Sequence, residues 1–411
     1  YEWLKHASEN SYHNWYYNEE NSVTGNEQDF HELVPVLTGP QGDYRSRGLT
    51  INSDSAANAA DGPKLPSGKK IGDMNSLNTL IRDAWDDIIS APDNSLKRLG
   101  EFQFANMIFE TAWHEEDNGD YHSHNFQNPF TNPDTTWDGL NTWNLRLLNH
   151  VRDVGFLAYA ARWAEDVRIA TQGSATTVVS LDLDQDGQDE YVLHNNRVLA
   201  LFDRHGGRLL YTFHYHSTAG PICVIGAPVA NPSAPGEEEF TGAQANRCSA
   251  LKDMNDSIYA DQVYTAQPGV PDSRSIRFVS ADSKIQKTIS LPDGATRLDV
   301  SYTETLDGPL FLRIGASPNS LDLLKTGRSH LTTSDTGPGG QYAVLNSTGG
   351  AVYVSVPAGV TRNPAPAFAG FQNRNLPLTE EIELSADGSF AFSIAFDQGT
   401  PSPIPNAFYL Y

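Results

Sequence analysis

Three aspartates at alternate positions stand out among the residues that could bind a metal ion. Asp182, Asp184 and Asp186 are closed by a glycine and followed by Glu190. Alternate carboxylates in an extended turn direct oxygen ligands to one point, as calcium loops require. The EF-hand rule fails, because the twelfth position of the loop is leucine rather than glutamate. The pattern predicts a structural calcium site at Asp182, Asp184, Asp186 and Glu190, with a metal-free turn as the alternative.

A second polar cluster, HEEDNGDYHSH, begins at His114, directly after Trp113. Its histidines and carboxylates would suit zinc, but the HExxH spacing is absent, because the fourth residue after His114 is Asn118. A polar cluster facing a ligand cleft and a solvated helix end remain the two interpretations. No nucleophile elbow, phosphate loop or dinucleotide fingerprint is present. A catalytic carboxylate pair cannot be chosen from 51 acidic residues without geometry.

Aromatic residues crowd the beginning of the chain, in the segment SYHNWYYNEEN. Aromatic faces stack on pyranose rings, so Trp15 and Tyr16 are candidates for lining a sugar site. The same cluster would also serve to pin an irregular segment against helices.

The two cysteines, Cys223 and Cys248, lie in a segment rich in Gly, Pro and Asn. We expect a disulfide that closes this loop, with two thiols as the alternative. A disulfide requires an oxidising compartment, so we expect an extracellular, secreted protein. The chain begins YEWLKH without an initiator Met or a targeting segment, so we expect a processed or truncated product.

Composition narrows the classes of partner. The net charge of −23 argues against nucleic-acid binding, because phosphate recognition needs a basic surface. It suits a protein that acts on a neutral polysaccharide. There is no run of about 18 apolar residues, so we expect no membrane span.

The elements that must position these residues change type along the chain. Residues 75–91 place apolar side chains at helical spacing, Ser95 is a candidate N-cap for a second helix, and a third helix is expected from about Leu140 to Ala170. From Thr176 onward, short segments alternate apolar and polar residues at period two, with turns such as Asp293-Gly294 between them.

This order predicts an α+β multidomain protein. An irregular aromatic and polar segment (residues 1–70) precedes a helical layer of about three long helices (71–172) and a large antiparallel β-sandwich (173–411). Three helices are too few for an α/α toroid, so the layer must pack on something else.

Three stretches together resemble the C-terminal half of glycoside hydrolase family 57, the group of α-amylases, amylopullulanases and 4-α-glucanotransferases. They are FANMIFETAWHE followed by LLNHVRDVGFLAYAARWAED, then DLDQDGQDEYVLHNNRVLALFDRHGGRLLYTFHY, and LFLRIGASPNSLDLLKTGR. The resemblance implies a helical domain that packs on a (β/α)₇ barrel, and a sandwich of the galactose-mutarotase-like supersandwich type. The catalytic Glu and Asp of such enzymes lie in the barrel, and no stretch here supplies it. Trp113 and His114 match a helix end near the cleft of the family.

We therefore expect the C-terminal portion of a secreted α-glucan-active hydrolase, which completes the cleft and stabilises a catalytic barrel outside this chain. The partners would be an α-glucan or another neutral polysaccharide and an N-terminal catalytic chain. The alternative is a non-catalytic extracellular carbohydrate-binding or structural protein. A polysaccharide lyase also combines helices with a large sandwich, but it would need more helical hairpins.

Overall fold

The structure is a computed structural model that describes residues 80–101, 104, 142–183, 188–204, 206–226, 249–253, 259, 262–316, 331–337, 339–346, 350–363, 368–369 and 377–397. The chain divides into two compact units. One comprises Tyr1–Ala161 together with Asp182–Gln188, and the other comprises Arg162–Leu181 and Asp189–Tyr411.

The described helices follow the predicted order. Helix α1 spans Leu80–Ser90, helix α2 covers residues 95–101, and helix α3 spans Thr142–Arg168. Searched over the same described residues, no helix is long and apolar enough to cross a membrane.

The N-cap of α2 differs from the prediction. Asn94 rather than Ser95 caps the helix, because its Oδ1 accepts hydrogen bonds from the backbone N–H groups of Leu96 and Lys97 at 3.0 and 3.2 Å. The Asn94 Nδ2 also donates to the backbone oxygen of Ala161 at 2.9 Å, which ties the start of α2 to α3. Asparagine and serine are comparable caps, so local sequence alone did not separate them.

Beyond α3 the described chain is almost entirely strand. The strands are β1 (Thr177–Leu181), β2 (Glu190–His194), β3 (Val198–Asp203), β4 (Arg208–His216), β5 (Gly220–Ile225), β6 (Ala250–Asp253), β7 (Thr265–Pro268), β8 (Ser275–Val279), β9 (Ile285–Ser290), β10 (Arg297–Glu304), β11 (Leu310–Ala316), β12 (Leu331–Asp335), β13 (Gln341–Asn346), β14 (Ala351–Ser355), β15 (Thr361–Asn363), β16 (Phe368–Ala369), β17 (Pro377–Ala386) and β18 (Phe390–Ala395).

These strands form two antiparallel sheets. The first sheet follows the order β1-β2-β3-β4-β5-β11-β17-β15, with β6 paired to β11 and β4, and β16 paired to β17. The second follows the order β12-β13-β14-β18-β10-β9-β8-β7. The α+β class with a large antiparallel sandwich is therefore confirmed.

The core lies between the two sheets, where apolar side chains at alternate positions meet. Phe202 of β3 contacts Phe278 of β8 with ring centroids 5.9 Å apart, and Tyr191 of β2 contacts the same ring at 6.0 Å. Along β10 the alternation is strict, since Leu298, Val300 and Tyr302 are buried in this core and the residues between them face outward. The predicted Asp-Gly turns are present, with positive φ at Gly294, Gly308 and Gly388.

Candidate functional site

Most of the predicted site residues lie outside the described residues. These are the substrate-contact candidates Trp15, Tyr16, Trp113 and His114, the aspartates Asp184 and Asp186, and Cys248. Their roles remain predictions.

The structure describes the residues on either side of the turn that carries Asp182, Asp184 and Asp186, which we call the acidic turn. Leu181 on β1 pairs with Glu190 on β2, and the Ser180 hydroxyl donates to Asp189 Oδ2 at 2.6 Å. Glu190 is buried at the start of β2. In the described part of the chain, no three His, Cys, Asp or Glu side chains lie close enough to hold a metal ion. The calcium prediction depends mainly on Asp184 and Asp186, so it stays a prediction.

Cys223 carries a thiol in this structure. It is buried on β5, beside Phe213 of β4 in the strand register, and its Sγ donates to the backbone oxygen of Ile225 at 3.2 Å. Cys248 lies outside the described residues, so the structure gives the predicted disulfide no support and it stays a prediction.

A charged residue lies between the two sheets, among the buried side chains of the sandwich. Lys287 on β9 is fully buried, and its Nζ donates to the backbone oxygens of Gly206 and Leu251 at 2.6 and 2.7 Å, and to Asp253 Oδ2 at 3.0 Å. Because β6 belongs to the first sheet and β9 to the second, this ion pair joins the two sheets.

Two tyrosines complete the inter-sheet cluster, which we define as Asp253, Tyr264, Lys287 and Tyr302. The Tyr264 and Tyr302 hydroxyls donate to the two oxygens of Asp253 at 2.8 and 3.0 Å. Lys287 Nζ also lies 5.0 and 5.7 Å from the centres of the two rings, which allows cation–π attraction. Three donors thus converge on one buried carboxylate, and the lysine uses its three hydrogens.

Burial governs the ionisation of the inter-sheet cluster. It raises the pKa of Asp253 and lowers the pKa of Lys287, and the opposite charge of each partner acts against that change. Burial first, and then the Asp253 carboxylate, raises the pKa of both Tyr264 and Tyr302, so the two phenols remain protonated donors. Such an enclosed, saturated group is suited to holding two sheets together rather than to exchanging protons with a substrate.

The Gly-Gly turn between β3 and β4 is shaped by this lysine. Gly206 and Gly207 both have positive φ, and a Cβ on Gly207 would lie 2.8 Å from Lys287 Cε and 3.0 Å from Phe278 Cβ. Glycine is needed at position 207 for the backbone conformation and for the passage of the lysine side chain.

The sequence did contain a signal for the inter-sheet cluster. In β9, Ile285, Lys287 and Ile289 share one face, and all three are buried. A lysine in phase with core isoleucines indicates a buried partner, but Asp253 lies 34 residues earlier in the chain and could not be identified by spacing.

A second polar group lies near the end of β4. His214 is fully buried and pairs with Val198 of β3, so it faces the sandwich interior. Among the described residues, neither ring nitrogen of His214 has a hydrogen-bond partner. Burial first lowers the pKa of His214 to about 4; Asp397 acts against this shift, while Arg197 and His216 add to it. The ring is therefore neutral at neutral pH.

The described groups around His214 do not form a metal site. Arg197 donates to Asp397 Oδ2 at 3.3 Å, which occupies that carboxylate. His216 Nδ1 accepts hydrogen bonds from the backbone N–H groups of Thr218 and Ala219 at 3.2 and 3.1 Å, so the neutral ring carries its proton on Nε2. The two histidines therefore do not offer a pair of lone pairs to one cation.

Comparison with known proteins gives only distant similarities. No family model and no curated protein matches the chain. Among solved structures, 4-alpha-glucanotransferase from Thermococcus litoralis is 12% identical over 78% of this chain and 48% of its own, with a TM-score of 0.36. Heparan sulfate lyase HepC from Pedobacter heparinus is 9% identical over 78% of this chain and 63% of its own, at 0.36.

A galactose mutarotase related enzyme from Lactobacillus acidophilus is 10% identical over 51% of this chain and 98% of its own, with a TM-score of 0.29. YidC from Thermotoga maritima, at 12% identity over 54% of this chain and 51% of its own, reaches the same value. This chain spans about half of the glucanotransferase and YidC chains. At such low scores, these similarities do not transfer a function to this protein.

Proposed function

We propose that this chain is the helical and sandwich portion of a secreted α-glucan-active glycoside hydrolase, and that the catalytic acids lie outside it. Its role is to complete the substrate cleft and to stabilise a catalytic barrel. The order of helices, acidic turn and large sandwich, together with the three family-like stretches, supports this proposal.

The observation that carries the proposal is the closed state of the inter-sheet cluster. Glycoside hydrolysis needs two carboxyl groups that reach the glycosidic bond, one as acid and one as base or nucleophile. Asp253 is fully buried and already accepts hydrogen bonds from Lys287, Tyr264 and Tyr302. Its geometry favours a structural role, in which it joins the two sheets, and a domain that supports a separate active site needs such a link.

The untested sequence predictions belong to the same proposal. A calcium ion at Asp182, Asp184, Asp186 and Glu190 would make the entry into the sandwich rigid. In the same way, Trp113, His114, Trp15 and Tyr16 would contact the glucan near the cleft.

Isolation of the native protein tests the proposal. The native material is captured with an antibody to the sandwich, and its polypeptides are identified by mass spectrometry. We expect a (β/α)-barrel polypeptide, either joined to this chain or associated with it, and glucan hydrolysis by the captured material. Native material that consists of this chain alone and still hydrolyses α-glucan would refute the division of labour. Native material that consists of this chain alone and does not hydrolyse α-glucan would favour the carbohydrate-binding or structural alternative.

A further inference from the structure

The inter-sheet cluster brings an amine and a carboxyl group together inside the buried core. Lys287 Nζ lies 3.0 Å from Asp253 Oδ2, and both side chains are fully buried. The rings of Tyr264 and Tyr302 lie beside the amine, with their centres 5.0 and 5.7 Å from Nζ. Two reacting groups that a fold holds close together and well aligned behave as though their concentration were about 10⁵–10⁸ M. The fold therefore supplies the proximity that a bond between these two side chains requires.

Burial favours the uncharged form of both groups. It raises the pKa of Asp253 and lowers the pKa of Lys287, against the attraction between the two charges. One proton that moves along the existing hydrogen bond, from Nζ to Oδ2, gives a neutral amine and a neutral carboxylic acid. The two remaining N–H groups still donate to the backbone oxygens of Gly206 and Leu251, at 2.6 and 2.7 Å. The nitrogen lone pair is then directed at the carboxyl group, as an attacking nucleophile requires.

The two phenols bind different oxygens of this carboxyl group. Tyr302 donates to Oδ1 at 3.0 Å, and Tyr264 donates to Oδ2 at 2.8 Å. Attack of the amine on Cγ moves negative charge onto Oδ1, where the Tyr302 hydroxyl stabilises it as a donor of an oxyanion hole does. The protonated Oδ2 is the leaving group, and the Tyr264 hydroxyl supports its departure as a hydrogen-bond donor. Each oxygen thus has the donor that its part in amide formation requires.

We infer that Asp253 and Lys287 are a self-modification site, at which the folded chain forms an amide bond between the two side chains. The Nζ–Cγ bond forms and the Cγ–Oδ2 bond breaks. Oδ2 leaves as water, with the proton that it received from Nζ and a second proton that Nζ loses as the amide forms. The product replaces two buried charges by a neutral amide, which removes the cost of keeping both charges away from water. It joins β6 of the first sheet to β9 of the second by a covalent bond.

Mass spectrometry of the purified, folded full chain tests this modification. We expect an intact mass that is lower than the mass of the sequence by one water molecule. After tryptic digestion, residues 253–274 should be recovered joined to residues 285–297, with no cleavage after Lys287. Lys284→Met, which changes the exposed lysine just before β9, is the matched control and should show the same loss of water and the same branch at Lys287. Lys287→Met should have its full mass and give linear peptides.

The time course of the modification tests its dependence on the fold. Chain isolated in urea directly after synthesis should have its full mass and lose water as it refolds, and Tyr302→Phe should slow that loss about a hundredfold. A folded wild-type chain of full mass would overturn the inference. A loss of water that leaves only linear peptides, as a succinimide at an Asp-Gly turn does, would also overturn it. The amide needs only the folded sandwich, so its absence would leave the proposed function unaffected.

Discussion

Replacing Lys287 by methionine tests the structural role of the inter-sheet cluster. The substitution keeps much of the apolar stem and removes the charge, together with three hydrogen bonds of 2.6, 2.7 and 3.0 Å. It leaves the fully buried Asp253 carboxylate without its cation. Breaking a buried ion pair from one side costs about 3–5 kcal/mol, a large part of the roughly 5–15 kcal/mol that stabilises a typical domain.

The assay is urea unfolding followed by the strand signal in circular dichroism. Lys284→Met is the matched control, because this lysine is exposed in the turn just before β9, and its loss should change stability by no more than about 0.5 kcal/mol. The double variant Lys287→Met, Asp253→Leu removes both charges and should recover part of the loss. Equal stability of the Lys287 and Lys284 variants would refute the assignment of the cluster as a link between sheets.

The stability that Lys287→Met loses, measured as free energy of unfolding, should also depend on pH. Without the lysine, the charge that most opposes the effect of burial on Asp253 is gone and only the two tyrosine hydroxyls still oppose it, so the folded pKa of Asp253 rises further above the unfolded value of about 3.9. A carboxyl whose folded pKa is raised binds its proton more tightly in the folded state. The deficit is therefore complete above the folded pKa and shrinks as the pH falls toward the unfolded pKa. A deficit that grows on acidification would contradict this account of the cluster.

Three other predictions follow from the same geometry. Gly207→Ala should cost about 1–3 kcal/mol more than Gly388→Ala, because both glycines have positive φ but only the new Cβ at 207 meets Lys287; urea midpoints measure the difference. For His214 the folded pKa of about 4 lies below the unfolded value of 6.5, so the stability that the neutral ring contributes is present above pH 6.5 and is lost as the pH falls through 4. His214→Met should remove up to about 3 kcal/mol of this pH dependence of the free energy of unfolding. A variant whose stability changes with pH as steeply as that of the wild type would contradict this prediction. Calcium should raise the melting temperature measured by calorimetry, and chelation should lower it. Asp184→Asn should abolish this response to calcium. A wild-type protein whose melting temperature does not respond to calcium would exclude the calcium site.

Much of the sandwich could be predicted because many of its strands alternate apolar and polar residues along the chain. In β10 the residues Leu298, Val300 and Tyr302 recur at period two, so local sequence determines which face is buried. The order of the strands could not be predicted in the same way. β11 pairs with β17, which lies more than 60 residues later in the chain, and no local pattern encodes that partnership.

The polar interior shows the same limit. Lys287 interrupts an apolar face, and this identifies it as unusual, but the positions of Asp253, Tyr264 and Tyr302 around it depend on how two sheets meet. His214 lies in a strand that is buried on both faces, where alternation gives no guide to which side chains face the core. Cys223 likewise lies within β5, in the buried half of that strand, rather than in an open loop, which the Gly-rich and Pro-rich neighbourhood did not indicate.

A turnover assay tests the central claim most directly. The purified chain is incubated with maltoheptaose and soluble starch, and new reducing ends are measured beside the captured native protein. The proposed function predicts hydrolysis by the native protein and none by this chain alone. Glucan hydrolysis by the isolated chain, lost on substitution of one of its own carboxylates, would contradict it.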